Sequence, residues 1–136
     1  MKFEVNNNQW SQSKQVLVND TSGILPQFQI LKDIQKMPKK AHPMDVVRTA
    51  VSLMALEDKE TKDNSPKANM RKAIRIFAKT PVALAAFFRS RKGKKIISPK
   101  KNLSFSENFF HMCFEKVPSK EIVKAFDAVS YTHLRA

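Results

Sequence analysis

Glycine is nearly absent from this chain, and the shortage limits what the chain can build. The 136 residues include two glycines, Gly23 and Gly93, which stand seventy positions apart. A phosphate-cradling loop or a dinucleotide-binding turn needs several closely spaced glycines, so both are excluded. Scarce glycine also favours helices over the turn-rich connections of sheets.

Cysteine, histidine and long apolar runs are scarce as well. One cysteine and three scattered histidines, His42, His111 and His133, provide no framework for a disulfide or a metal site. No apolar run approaches the ~20 residues that cross a bilayer. Residues 1–5 carry no apolar stretch behind their charge, so they do not form a secretory signal. We therefore expect a cytoplasmic chain in a reducing compartment, with no metal and no membrane partner.

Positive charge is what the chain has in excess. Its 25 Lys and Arg face 12 Asp and Glu, which gives a formal net charge of +13 and is typical of nucleic-acid binding. Seven basic residues fall within thirteen positions: Arg89, Arg91, Lys92, Lys94, Lys95, Lys100 and Lys101. No aromatic residue alternates with them as a base-stacking platform requires, so we interpret the run as a solvated loop. A basic helical nucleic-acid-binding or interaction module remains the alternative function.

Hydrophobic periodicity predicts an all-α fold of about five helices with no sheet, because no segment alternates polar and apolar residues over strand length. A short helix follows Pro26 and stops at Pro38. A second helix opens at His42 and Pro43, where proline suits the first helical position. Its apolar face is broad enough to be buried on two sides.

The remaining three helices are predicted from their caps. Ser65 and Pro66 open the longest one, which Gly93 ends and Pro81 should bend. An apolar seam follows it at alternating spacings of four and three, through Met70, Ile74, Phe77, Pro81, Leu84 and Phe88. A capping box at Ser104 and Glu107 opens the fourth helix. The last helix begins at Pro118-Ser119, with Ile122, Val123 and Phe126 predicted to face inward.

Few residues are candidates for chemistry. His42 is interpreted as a capping or packing residue rather than a catalyst, and His111 as a partly buried core residue. Cys113 has no local base and is expected to behave as a small buried hydrophobe. The carboxylates that could form a pair, Glu57, Asp58, Glu60 and Asp63, fall in one linker that we expect to be exposed. These residues alone do not assemble an active site.

The run Pro-Lys-Lys-Ala-His-Pro-Met-Asp-Val-Val-Arg-Thr-Ala-Val-Ser, at residues 38–52, resembles the signature stretch of the citrate synthase family. The signature residues within it are His42, Pro43, Met44, Asp45 and Arg48. The similarity continues more loosely through the long helix and strengthens again at Leu-Ser-Phe-Ser-Glu-Asn-Phe, residues 103–109. In all it covers roughly residues 15–127.

The resemblance implies a helical enzyme that condenses acetyl-CoA or propionyl-CoA with oxaloacetate to citrate or 2-methylcitrate. The family has a large and a small helical domain and works as a homodimer, and this chain resembles a helical fragment of the large domain. Helices corresponding to residues 43–56 and 66–91 pack against their copies in the second subunit. The residues expected at that dimer interface are Val47, Val51, Met54, Leu84, Ala85 and Phe88.

The family's catalytic aspartate and histidines, its oxaloacetate-binding arginines and its CoA loop all lie later in the chain than these segments. We therefore expect no catalytic, substrate-binding or metal-binding residue here, no cofactor, and no activity of this piece alone. Acyl-CoA and oxaloacetate would be substrates of the full-length enzyme. Residues 1–22 are expected to be a poorly ordered, atypical segment, residues 23–128 the family-like helical part, and residues 129–136 a non-native tail. His133 is given no role.

Overall fold

The computed structural model describes residues 24–100 and 102–135, and side chains only between residues 30 and 130. This part of the chain forms five helices and no strand, which confirms the predicted all-α fold. The segment 1–22, Lys101 and the side chain of His133 lie outside the described residues. The helices are α1 (Ile24–Lys36), α2 (Pro43–Glu57), α3 (Pro66–Arg91), α4 (Phe105–Phe114) and α5 (Lys120–Arg135).

Three helices begin at the caps that the sequence predicts. The His42 imidazole Nδ1 accepts a hydrogen bond from the Met44 N–H at 3.2 Å, at the start of α2. The Ser65 hydroxyl accepts one from the Ala68 N–H at the start of α3. At α4 the predicted capping box is complete, because the side chains of Ser104 and Glu107 each accept from the other's N–H. Each cap satisfies a backbone donor that would otherwise lack a partner.

Two helices end with left-handed backbone. Gly93 follows α3 with φ of 68°, a conformation that glycine adopts without steric cost. Glu115 follows α4 with φ of 64°, and a side chain in that region is uncommon. Its N–H donates to the carbonyl oxygen of His111. The chain therefore holds Glu115 in a conformation that glycine would adopt more easily.

The third helix is the centre of the fold. It packs against α1, α2 and α4, whereas α5 packs against α4. Its small residues Ala78, Ala83, Ala85 and Ala86 are at most 3% exposed, so the neighbouring helices approach it closely. The core around it also contains Ile30, Leu31, Ile34, Val46, Ala50, Met54, Val82, Phe87, Phe105, Met112 and Cys113.

The buried face of α3 differs from the predicted seam. Ala78, Val82, Ala85 and Arg89 are buried, whereas Met70 is 38% exposed and the other residues of the predicted seam are half-buried. The reason is packing: three neighbouring helices contact the face with the small side chains, and the bulkier apolar residues flank it. The helix continues through Pro81.

The last helix departs from its prediction at one residue. Val123 is buried, and the ring of Phe126 stacks on Phe109 with 5.5 Å between centroids. Ile122 is 51% exposed, so its predicted inward position is wrong, because within the described residues α5 packs on a single neighbour, α4. Helix α5 extends through Arg135, across residues 129–135 of the expected tail. None of the five helices is long and apolar enough to span a membrane.

Candidate functional site

The residues of the signature run form the start of α2. His42 is its N-cap, and Pro43 is its first residue. Asp45, in the first turn, faces the positive end of the helix dipole and forms an exposed ion pair with Arg48 at 3.4 Å. An exposed pair of this kind contributes little to stability. The signature therefore sets where a helix begins rather than forming a site.

The predicted interface residues fall into two groups. Met54 and Ala85 are buried within the chain's own core. The side chains of Val47, Val51, Leu84 and Phe88 are half-buried, on α2 and α3. Met44, at the start of α2, is 53% exposed. Both helices thus keep apolar surface that the five described helices leave partly open, and the dimer interface stays a prediction.

The acidic linker between α2 and α3 is more ordered than the sequence predicts. Asp58 and Glu60 are partly buried, because two arginines of α3 hold them. Both carboxylate oxygens of Asp58 accept from Arg75, at 2.8 to 3.0 Å, and Glu60 pairs with both Arg71 and Arg75. Asp58 and Arg75 are seventeen residues apart in the sequence. Helical periodicity does not predict a contact over that distance.

These ion pairs set the charge of both carboxylates. Burial alone raises the pKa of Asp58, but hydrogen bonds from the Glu60 N–H and from Arg75 outweigh it and leave the pKa below its ordinary value. Hydrogen bonds from Arg71 and Arg75 lower the pKa of Glu60 to about 2. Both groups are therefore ionised at neutral pH and cannot serve there as general acids.

A groove of about 640 Å³ lies between this linker, Ile30 of α1 and the first half of α3. Its polar side chains largely satisfy one another, and the Lys72 ammonium donates to the Asp63 carbonyl oxygen at 2.6 Å. Across the described residues no three His, Cys, Asp or Glu side chains come together as metal ligands would. We therefore interpret the groove as a place where ion pairs hold the linker against the helices rather than as a metal site.

Arg89 is the most buried charged side chain described, at 3% exposure. Its guanidinium donates to three acceptors: the Lys95 carbonyl oxygen at 2.5 Å, the Cys113 carbonyl oxygen at 3.5 Å, and the Glu115 carboxylate at 3.1 Å. It thereby joins the end of α3, the loop after it and the end of α4. The basic run at residues 89–101 predicts a solvated Arg89, and for this residue the prediction is wrong. Its spacing of seven from Val82, on the buried face of α3, is the signal that could have located it.

Asn108 performs a similar function for the basic loop. It is fully buried in α4, and its amide group accepts from the Lys100 N–H at 2.8 Å and donates to the Lys100 carbonyl oxygen at 2.9 Å. A third hydrogen bond reaches the Leu103 carbonyl oxygen. One side chain thus satisfies three backbone groups of the loop, which is a use that the sequence did not reveal.

Comparison with known proteins identifies the family. The family model described as citrate synthase, C-terminal domain, matches residues 5–134. The chain belongs to the citrate synthase family. The match extends beyond residues 15–127, the stretch over which the sequence predicts the resemblance.

Three curated citrate synthase relatives show how much of the enzyme this chain covers. A citrate synthase from Mycolicibacterium smegmatis is 42% identical over 94 residues, 69% of this chain and 25% of that protein. A 2-methylcitrate synthase from Mycobacterium tuberculosis, strain H37Rv, is 42% identical over 98 residues, 72% and 24% of the two chains. Citrate synthase 2 from Bacillus subtilis is 41% identical over 95 residues, 70% and 26%. The chain therefore spans about a quarter of the length of these relatives.

Two potentially reactive side chains of this citrate synthase segment are in its core, as the sequence predicts. Cys113 is 6% exposed, and burial raises the pKa of its thiol to about 11. His111 is 8% exposed; burial, and then the charge of Lys100, lower its pKa, while Glu115 acts in the opposite direction. A thiol kept protonated and an imidazole kept neutral are typical of packing residues.

The buried imidazole makes stability depend on pH. Because the pKa of His111 is lower in the folded chain than its unfolded value of 6.5, protons bind preferentially to the unfolded chain. We expect the free energy of unfolding to fall as the pH decreases from 6.5 through the folded pKa, and part of that fall to disappear in H111Q. Urea titrations between about pH 7.5 and pH 5 measure it.

The control for this experiment is H42N, which removes an exposed histidine and keeps a good N-cap side chain. Comparison of H111Q with H42N separates the pH dependence that comes from the buried imidazole from any that comes from the helix cap. Equal pH dependence in H111Q and the parent would contradict the assignment of the titration to His111.

Proposed function

We propose that this chain is the scaffold part of an enzyme that condenses an acyl-CoA with oxaloacetate to citrate or 2-methylcitrate. The observation that carries the proposal is the family match over residues 5–134, which covers four helices in full and α5 up to its last residue. Relatives bearing both the citrate and the 2-methylcitrate synthase names are equally similar to the chain. The proposal therefore covers both acyl groups. We also propose that the enzyme is cytoplasmic.

The second part of the proposal is that a second copy of the chain is its partner. The support is the partly open apolar surface of α2 and α3, where Val47, Val51, Leu84 and Phe88 are half-buried. Apolar surface of this kind is stabilised when a second apolar face removes it from water. The copies would meet along these two helices.

The third part is that the chain supplies no catalytic group and is inactive alone. Its candidate side chains are engaged elsewhere, since His42 caps α2, Cys113 is buried, and Asp58 and Glu60 pair with arginines. Acyl-CoA and oxaloacetate would bind to the rest of the enzyme. The chain would contribute the helices on which that site is built.

A chimeric enzyme tests these proposals. In the citrate synthase of Mycolicibacterium smegmatis, the segment that aligns with this chain is replaced by the aligned residues of this chain. The chimera is then given acetyl-CoA and oxaloacetate, and the release of the CoA thiol is followed. We expect a dimeric chimera with activity, and no thiol release from the 136-residue chain alone. In sedimentation the chain alone should form dimers or larger assemblies rather than a single monomeric species.

Two substitutions in adjacent positions provide the control. V51E places a charge on the half-buried face of α2 and should weaken self-association and chimera activity together, whereas S52E adds the same charge at an exposed position and should change neither. A folded, dimeric chimera without activity would overturn the scaffold proposal. Equal effects of V51E and S52E on assembly would overturn the interface.

A further inference from the structure

The excess positive charge of the chain is confined to one segment. Residues 64–106 contain twelve Lys and Arg and no Asp or Glu. The rest of the chain is nearly balanced, with thirteen basic and twelve acidic residues. The segment coincides with α3 and the loop that follows it, so the charge belongs to one region of the fold rather than to the whole surface.

Part of this charge is neutralised by contacts within the chain. Arg71 and Arg75 pair with the acidic linker at the start of α3, and Arg89 pairs with Glu115. Five exposed cations remain at the opposite end of α3, and none has a carboxylate partner within the part of the chain that the structure describes. They are Arg91, Lys92, Lys94, Lys95 and Lys100.

The loop that carries these cations is fixed to the core. Arg89 holds the carbonyl oxygen of Lys95, and Asn108 holds both backbone groups of Lys100. The backbone is therefore placed before any ligand arrives, which reduces the entropy that binding would cost. An unanchored lysine-rich tail would lack this property.

Packing also brings aromatic rings to the cations. The Lys92 ammonium lies 4.3 Å from the centre of the Phe88 ring, and Phe114 of α4 packs edge-on against Phe88 with 5.3 Å between centroids. Phe114 is 53% exposed. No aromatic residue alternates with the basic ones along the sequence, but a different helix supplies a ring beside them.

Further cations come from the end of α1 and the turn that follows it. The Ser90 hydroxyl contacts the Gln35 carbonyl oxygen at 3.5 Å, which brings the end of α1 beside the end of α3. Lys36, Lys39 and Lys40 follow within five residues of Gln35 and are exposed. Residues 34–44 contain no Asp or Glu, so this second segment adds to the same positive region.

We propose that the basic face, formed by the cations from Arg91 to Lys100 and the ring of Phe114, binds single-stranded nucleic acid. The phosphates would contact the ammonium and guanidinium groups, and an unpaired base would stack on Phe114. A duplex keeps its bases stacked internally and would leave the ring unused. Binding to an anionic bilayer requires a wide exposed apolar face. The apolar residues of this loop, Ile96 and Ile97, are partly buried, so the loop does not offer such a face. The proposal does not rest on the proposed condensation, and the face adjoins the proposed dimer surface, because Phe114 packs on Phe88.

Fluorescence anisotropy with a labelled oligouridylate of about twelve nucleotides tests the proposal. Five phosphate contacts predict that affinity falls about 100-fold between about 50 and 200 mM salt, since each contact releases counterions. F114L keeps apolar bulk without an aromatic ring and should weaken binding about tenfold. The triple variant K92A, K94A, K95A should weaken binding at least as much and reduce the salt dependence.

The matched control is the triple variant K59A, K62A, K67A. It removes the same charge from exposed positions near the start of α3, about 36 Å along the helix from Arg91. At that distance the charges are screened, so oligonucleotide binding should change less than twofold.

Three results would overturn the proposal. They are equal losses in the two triple variants, full binding by F114L, and binding to phosphatidylserine vesicles without binding to the oligonucleotide. The last result would assign the face to a membrane surface. Circular dichroism of each variant at the assay temperature confirms that a loss of binding is not a loss of fold.

Discussion

Substitution of Arg89 by alanine is expected to lower the free energy of unfolding by about 3 kcal/mol, because a buried donor group and its volume are both lost. The carbonyl oxygens of Lys95 and Cys113 would lose their side-chain donor. Glu115 loses less, since its side chain is 60% exposed and water can replace the arginine. Urea unfolding followed by circular dichroism, at one fixed protein concentration, measures the change.

Two variants show whether the loss comes from the buried contacts. R91A removes an exposed arginine two residues away and should cost less than about 0.5 kcal/mol. E115Q keeps a non-glycine residue at the left-handed position and an oxygen that accepts from Arg89. It should lower the free energy of unfolding by less than about 1 kcal/mol. If R89A and R91A were equally stable, Arg89 would not be the link between α3, the loop and α4.

Substitution of Asn108 by alanine should have the second large effect, about 3 kcal/mol. Three backbone groups, the N–H and carbonyl oxygen of Lys100 and the carbonyl oxygen of Leu103, lose their partner in a buried position. The loop should also open more often, so its amide hydrogens should exchange faster than those of α2. Hydrogen exchange and urea unfolding together measure both effects.

The control is N102A, at an exposed asparagine in the same loop. It should leave stability and exchange nearly unchanged. Faster exchange in N108A without a loss of stability would mean that Asn108 fixes the loop but that the fixed loop does not stabilise the fold. A loss of stability with unchanged exchange in the loop would place the function of Asn108 elsewhere in the core.

Local features of this fold could be predicted from the sequence, and the reason is that caps depend on neighbouring residues. His42, Ser65 and Ser104 bond to backbone groups two or three positions away, so their spacing was enough to locate three helix starts. Gly93 likewise ends α3 through its own backbone. These signals do not depend on which helices become neighbours.

The features that sequence reasoning missed all depend on distant contacts. Asp58 meets Arg75 across seventeen residues, and Arg89 meets Glu115 across twenty-six. The seam of α3 was misplaced because periodicity gives equal weight to every apolar residue, whereas packing buries the positions that face the neighbouring helices, most of them alanines. The burial of Asn108 could not be predicted for a similar reason, since its hydrogen-bond partners lie in a loop that has no periodicity.

The alanine face of α3 has a consequence for how the chain can vary. Ala78, Ala83, Ala85 and Ala86 are buried on the helix that three neighbours contact, so a larger side chain there would have to be accommodated by the packed core. Lys59, Lys62 and the other exposed linker positions have no such constraint. Sequence divergence should therefore be slower at the buried alanines of α3 than at the exposed positions of the linker.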